Sequence, residues 1–509
     1  MKKIVLAVII FLTCATSTRA QHIDRSGFIK DSLEYYINRA MTNWRIPGAA
    51  VCIVKDNKIV LLKAYGIKEL GVDTKVDINT LFMIGSNTKA FTATALAILQ
   101  TQNKLSLDDK VTKYLPQFKL DNKMAGEQAI IRDLLCHRLG LQTFQGDFTF
   151  YNTNLTRGEI IEKLGQVKAA YPFRTKWGYT NAAFLTAGQI IPVVTGKPWE
   201  VYLKENIFAP LGMINTLALT ADIPKSLNRT VPHTLINGIL SAIPYAQIDG
   251  LAPAGAICSS VNDMSKWVLA LLNDGKVGAR QVIPFAAIKA TREAQDIVGS
   301  VHHLDGETNY ELYGLGWFIQ DYSGHRLVMH DGGVNGYLTS VTLVPQDHLG
   351  IIVLTNTDQN ELFDALRWEI MDAYFKLPYR NYSDVYLANY KANETIDNAA
   401  DKRRLDSVAL NPLPALPAVS YTGKYVNDLY GSMEITQGEH NDLEIRFEHH
   451  PRMYAHLQPL GGNRFYVTFS DPVLGKAVFP FTVQNGQVTG VRVKVADFVE
   501  YNPYDFKKE

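Results

Sequence analysis

Ser86 and Lys89 stand three residues apart where the apolar run Phe82-Met83-Ile84-Gly85 gives way to Phe91, Ala95, Leu96, Ile98 and Leu99 at helical spacing. Residues i and i+3 share a helix face, so the hydroxyl and the amine can meet. A neutral lysine there can take the serine proton and turn the oxygen into a nucleophile. The helix N-terminus adds a positive partial charge, which favours a developing oxyanion and lowers the pKa of the amine. The competing reading makes Ser86 an N-cap and Lys89 a solvated charge, since serine is a preferred cap. Against it, a lysine in the first turn opposes the helix dipole where Glu or Gln would complete a capping box. No other Ser-x-x-Lys occurs in the chain.

A nucleophilic serine also needs groups that protonate a leaving atom, hold the acyl carbonyl and stabilise the oxyanion. Trp177-Gly178-Tyr179-Thr180-Asn181 closes an irregular stretch just before a helical pattern. It offers a phenol at Tyr179 for proton transfer and an amide at Asn181 for a substrate carbonyl. Tyr-x-Asn recurs at Tyr36-Ile37-Asn38 and Tyr425-Val426-Asn427, where helix-surface and strand-end roles suffice. His330-Asp331-Gly332-Gly333 ends a strand pattern with a glycine pair that lets backbone approach a ligand closely. His-x-Gly recurs at His348-Leu349-Gly350, and a turn histidine is the plain alternative. Each pattern is weak alone; their order and spacing carry the weight.

Taken in order, Ser86-x-x-Lys89, Tyr179-x-Asn181 and His330-x-Gly332 resemble the three motifs of the serine β-lactamase and penicillin-binding protein superfamily. The likeness runs from about Gly48 to Phe375. Ile131-Arg132-Asp133-Leu134-Leu135, Asn206-Ile207-Phe208-Ala209-Pro210-Leu211-Gly212-Met213 and Tyr313-Gly314-Leu315-Gly316-Trp317 are typical of its class C β-lactamase and D-alanyl-D-alanine carboxypeptidase branch, the S12 type of serine peptidase. The residues that follow resemble the lipocalin-like β-barrel domain of some peptidases of that branch.

The resemblance implies attack by Ser86 on an acyl carbonyl, with Lys89 and Tyr179 sharing the proton and passing it to the leaving group. Backbone N–H groups of Ser86 and Gly333 would form the oxyanion hole. Asn181 would orient the substrate, and His330 and Gly332 would border the acyl pocket. The substrate would be a small molecule or peptide, and neither metal nor organic cofactor is required. Two positions depart from the pattern. Class C β-lactamases usually carry Lys where His330 stands, and His is more usual in the peptidases. The common His-Thr-Ser-Gly after the Asp-Leu-Leu helix is here His137-Arg138-Leu139-Gly140.

The elements that must position these groups are legible in outline. A helix over 26 to 42 precedes a hairpin, Gly48 to Val54 and Ile59 to Leu62 around Asp56-Asn57-Lys58. Helical and loop patterns dominate to about residue 300, including an apolar helix from Ala182 to Thr195. Strand patterns return at 314–319, 326–330, 338–344 and 350–354, before a helix from about Glu361 to Phe375. Strands at both ends of a helical middle predict an α/β (α+β) fold: one antiparallel sheet flanked by helices, with an all-helical insert. From Tyr421 on, short alternating runs with turn signals predict a small all-β barrel.

The expected division is a signal peptide at 1–20, a hydrolase domain at 21–377, a connector at 378–417 and a barrel at 418–509. Lys2 and Lys3, the apolar run Ile4 to Thr13 and Thr18-Arg19-Ala20 read as a secretory signal, and so as export to a bacterial periplasm. Cys14 invites a lipoprotein reading, which Phe11-Leu12-Thr13 matches poorly. Cys52, Cys136 and Cys258 would then remain as buried thiols. With 51 basic and 50 acidic side chains and no long charge run, neither nucleic acid nor an anionic membrane surface is indicated. No later apolar run spans a bilayer. His302-His303 and His449-His450 read as solvated polar residues, not metal ligands.

The function that follows is an exported serine hydrolase, first of all a peptidase or amidase on small peptides, including those with D-amino acids. Carboxylesterase and β-lactamase are the alternatives among enzymes. A non-catalytic sensor of penicillin or wall fragments is the alternative outside them. The C-terminal domain is open to four readings: shielding the site, walling a pocket, joining copies of the chain into a homo-oligomer, or an inert appendage.

Overall fold

The computed structural model describes residues 27–304, 308–438 and 442–509, so the N-terminal signal reading lies outside the described residues. Nine antiparallel strands form the main sheet, in the order Asp296–His302, Thr308–Tyr313, Phe318–Tyr322, His325–Val334, Tyr337–Val344, Leu349–Thr355, Gly48–Lys55, Lys58–Glu69 and Val72–Lys75. The two ends of the family-like region thus meet in mid-sheet, where Val51 pairs with Val353. The hairpin turn falls at Asp56 and Asn57, both with positive φ, as a two-residue turn requires.

Strand Gly48–Lys55 is apolar throughout because both its faces are covered. Ala50, Cys52 and Val54 enter the core shared with the Ser86 helix, whereas Ala49, Val51 and Ile53 enter the core under the helices Leu33–Trp44 and Leu362–Tyr374. This is the period-two alternation of a strand. The helix Thr88–Thr101 is buried at every position from Thr88 to Leu99, so its apolarity runs all round. Its alanines admit close neighbours, and Phe91 stacks on Trp267 with ring centroids 4.1 Å apart.

Several segments differ from the expectation. The insert is not all-helical: it carries short two-stranded ladders, among them His233–Ile236 with Ile239–Ala242 and Lys276–Val277 with Arg280–Gln281. The apolar helix from Ala182 is two helices, Asn181–Gly188 and Ile190–Thr195. Pro192 lacks an N–H and its ring would press on the carbonyl of Gly188, four residues back. Tyr313-Gly314-Leu315-Gly316-Trp317 is mostly a turn with its strand starting at Phe318, because it folds tightly onto the Ser86 helix: a Cβ on Gly316 would lie 2.7 Å from the Lys89 carbonyl oxygen. Residues 378–417, polar in composition, hold the 28-residue helix Tyr382–Ala409. Its Tyr382, Ser383 and Leu387 are buried against the sheet's outer helices, and Asp401 further along bonds the Tyr466 hydroxyl at 2.6 Å. It is largely solvated, and so carries no apolar stripe.

Eight strands from Gly423–Asn427 to Tyr504–Lys508 close into a barrel, the last pairing with the first at Tyr425 and Lys508. Its core is aromatic and reaches out to Phe148 of the helical region. His450, expected in solvent, is instead buried between Phe148 and Tyr430, ring centroid 5.2 Å from Phe148, with Nδ1 2.7 Å from the Tyr430 hydroxyl. Burial holds its pKa down to about 4, so the ring is neutral. Cys52, Cys136 and Cys258 are buried free thiols. Among the described residues no helix is long and apolar enough to cross a membrane.

Phe91→Ala removes a ring packed between Trp267 and Phe208. Urea unfolding is expected to show a loss of about 3–5 kcal/mol.

Candidate active site

Ser86 lies in a single 3-10 turn, Gly85–Asn87, that leads into the helix Thr88–Thr101. Its hydroxyl caps nothing; neither the turn nor the helix has a side-chain cap. The turn is clamped by the edge of strand His325–Val334. A Cβ on Gly332 would sit 1.9 Å from the Ile84 carbonyl oxygen and 2.5 Å from Thr339 Oγ1. A Cβ on Gly85, which has φ +53°, would sit 2.9 Å from the Gly333 nitrogen. Glycine at these places lets two backbones touch, which brings the Gly333 amide beside the Ser86 turn.

Lys89 is wholly buried, and its amine has three oxygen neighbours: Ser86 Oγ at 3.0 Å, Asn181 Oδ1 at 2.7 Å and the Ala254 carbonyl at 2.8 Å. The amine also lies 4.6 Å from the centre of the Tyr179 ring. Burial pulls its pKa down to about 7, with the Asp147 carboxylate acting weakly the other way. A neutral amine has two N–H donors and one lone pair. The carbonyl of Ala254 and the amide oxygen of Asn181 can only accept, so they take the two donors. The lone pair is left facing the Ser86 hydroxyl.

Tyr179 is buried beside this pair; burial raises the pKa of its hydroxyl, and the neighbouring Ser86 side chain acts the other way. The loop that carries Tyr179 is held by His137, the first residue of His137-Arg138-Leu139-Gly140, where it keeps the common pattern. His137 Nδ1 accepts from the Thr180 N–H at 3.0 Å, and its ring lies 4.4 Å from that of Tyr179. Burial keeps His137 neutral. On the other side, His330 Nδ1 is 2.6 Å from the Asp331 carbonyl and Nε2 is 3.1 Å from the Tyr313 hydroxyl. A carbonyl only accepts, so Nδ1 carries the proton and Nε2 accepts from Tyr313. Burial, reinforced by Lys89, drives the His330 pKa down to about 3; the ring brings no charge to the cavity.

These groups share a cavity of about 770 Å³, lined by Ser86, Tyr179, Asn181, His330, Gly332 and Gly333, with Lys89 bonded beneath. All seven residues singled out in the sequence are thereby brought together. Others escaped sequence reading. Asp147 accepts from Asn181 Nδ2 at 2.6 Å, and Asp497, Phe498, Val499 and Tyr501 of the barrel domain form one wall. Nothing in a lone Asp or a loop Phe-Val-Glu-Tyr marks them; only the docking of the barrel places them here. No cluster of His, Cys, Asp and Glu suited to a metal occurs among the described residues.

The arrangement can deprotonate a serine, pass the proton through a lysine and a tyrosine, and bind an acyl group under backbone amides. Comparison with known proteins gives the family and the fold. The family model described as Beta-lactamase matches residues 33–375, and a domain of unknown function, DUF3471, matches 409–508. The chain is 29% identical over 428 residues to an unguisins hydrolase of Aspergillus campestris, covering 80% of this chain and 78% of that one. It is 25% identical over 349 residues to protein flp of Staphylococcus aureus strain MRSA252, covering 67% and 66%. The octameric penicillin-binding protein homologue from Pyrococcus abyssi superposes with a TM-score of 0.60 at 21% identity, over 94% of this chain and 99% of that one.

Gly332→Ala forces the Ser86 turn and the strand apart. Its reaction rate with a serine-directed probe is expected to fall about a hundredfold, with a lowered thermal midpoint, whereas Gly158→Ala, whose Cβ meets nothing within 4 Å and whose φ is not positive, is expected to leave the rate unchanged.

Proposed function

The chain belongs to the Beta-lactamase family, and from that premise we propose that it is a serine hydrolase acting through an acyl intermediate on Ser86. The observation that carries the reading is the buried Lys89 amine, 3.0 Å from Ser86 Oγ, 2.7 Å from Asn181 Oδ1 and 2.8 Å from the Ala254 carbonyl; in its neutral form its two donors go to the last two and its lone pair faces Ser86. In this reading Lys89 accepts the serine proton. Tyr179, within hydrogen-bond reach of Ser86, relays it to the leaving group. The N–H groups of Ser86 and Gly333 receive the oxyanion, each donor contributing about 3 kcal/mol. Asn181 holds the substrate carbonyl side, and His330 and Gly332 border the acyl group. Water then releases it.

The substrate class we propose is a peptide or other amide. A neutral His330 offers no positive charge to a β-lactam carboxylate, and the curated relatives include hydrolases named for unguisins. Export to the periplasm and self-association belong to the same proposal. The first rests on the basic-then-apolar N-terminus, and the second on the neighbour titled octameric.

Incubation with a fluorophosphonate or a fluorescent penicillin, followed by intact-mass measurement, is expected to show one adduct on the native chain and none on Ser86→Ala. An equal adduct on both, or none on the native chain with either probe, would sink the proposal. Lys89→Ala is expected to lower kcat/KM on an activated ester by roughly 10²–10⁴-fold without unfolding the protein.

A further inference from the structure

The barrel domain reaches deeper than the cavity wall. Glu500 lies between the strands Gln487–Val493 and Tyr504–Lys508 and is 1% exposed. Its two carboxylate oxygens accept from the backbone N–H groups of Gly146 and Phe148, each at 2.9 Å, and Oε2 also accepts from the Tyr504 hydroxyl at 2.8 Å. The two amides flank Asp147. One oxygen of Asp147 accepts from Asn181 Nδ2 at 2.6 Å; the other is buried and has no hydrogen-bond partner among the described residues.

That single bond decides which way the Asn181 amide faces. Ionised, or with a proton on its unpartnered oxygen, the Asp147 carboxyl presents an acceptor to Asn181; this selects the amide NH₂ and turns Oδ1 toward Lys89, 2.7 Å away. With the amide reversed, NH₂ would face the amine. The lysine lone pair would then have to accept from Asn181 and would be lost to Ser86.

We propose that Asp147 and Glu500 are positioning residues for acyl transfer: the barrel's Glu500 fixes the 146–148 turn, Asp147 fixes the Asn181 amide, and the amide aims the Lys89 lone pair at Ser86. The inference rests on the reading of Lys89 as base. It makes the C-terminal domain a working part of the site, although the domain contributes no group that touches the reacting atoms.

The two carboxyls also set the charge around the base. Lys89 faces Asp147, Tyr179, His137 and His330; Asp147 faces Glu500 and Lys89; Glu500 faces Lys494 and Tyr504. Both histidines are neutral at neutral pH, and burial raises Asp147 and Glu500 to about 7 each, with each carboxyl surrounded as stated. A charged Asp147 favours the Lys89 ammonium, and a charged Glu500 disfavours a charged Asp147.

The test uses the full chain and its fluorophosphonate labelling rate across the neutral pH range, with a thermal midpoint and intact mass taken for each variant. In the native chain the rate is expected to rise as pH climbs through the Lys89 pKa. Asp147→Asn keeps an acceptor for Asn181 and removes the charge, so the ammonium loses support and the rising limb moves to lower pH. Glu500→Gln frees Asp147 to ionise, so the limb moves to higher pH. It also leaves Gly146 or Phe148 facing a donor, and the plateau rate falls about tenfold. Glu500→Asp, which keeps both acceptor oxygens, restores part of that rate. A merely structural role would change midpoints and move neither limb. If Glu500→Gln fails to fold, Asp147→Asn decides alone. Limbs that stay at the native position, with Ser86 still labelled, would overturn this inference and leave the proposed hydrolase intact. Absence of any Ser86 adduct on the native chain would remove both.

Discussion

The desolvation of one amine governs this structure. An ammonium taken out of water is costly unless it finds charge or enough acceptors, and the less costly solution is to give up its proton. Lys89 lies in a fully buried helix, ringed by Tyr179, Phe184 and the Ala254 carbonyl, and is left with acceptors for only two hydrogens besides Ser86. Those three oxygens would also serve an ammonium, so it is burial, which pulls the pKa down to about 7, that makes the neutral form accessible at neutral pH. Everything that packs around the helix Thr88–Thr101 therefore contributes to the chemistry by excluding water. The Trp267 stack, the Gly316 turn pressed on the Lys89 carbonyl and the helix Asn181–Gly188 all do so.

Close backbone contact is the second requirement. The Ser86 turn and the strand His325–Val334 approach so nearly that side chains at Gly85 and Gly332 have no room. The sheet fixes one side of the site, and the helical region fixes the other through Tyr179 and Asn181. The barrel closes the third side with Phe498 and Tyr501, the latter's ring 5.6 Å from that of Phe144. The sheet, the helical region and the barrel thus meet at one serine, and small displacements of any of them would be felt there.

Legibility in the sequence followed the range of the interactions. Ser86 and Lys89 could be read together because a helix brings i and i+3 into contact without help from the rest of the chain. Tyr179, Asn181 and His330 each stood in patterns that recur elsewhere by chance, at Tyr36, Tyr425 and His348, and gained meaning only in order. The central sheet was visible as short apolar runs bounded by turn signals and the barrel as strand alternation, both local patterns. Asp147, Glu500 and Phe498 were invisible because their roles arise where two domains dock, a contact no period records. The helix Tyr382–Ala409 was hidden by its own solvation, and His450 by a burial that comes from Phe148, some 300 residues earlier.

The most direct measurement of the central claim is a ¹⁵N NMR titration of the lysine Nζ signals, with Lys89→Met to assign the signal of interest. One amine titrating near 7, absent from the variant, is the predicted result. If every lysine titrates near about 10.4, the ordinary value, then Lys89 is an ammonium at neutral pH and cannot be the base that activates Ser86.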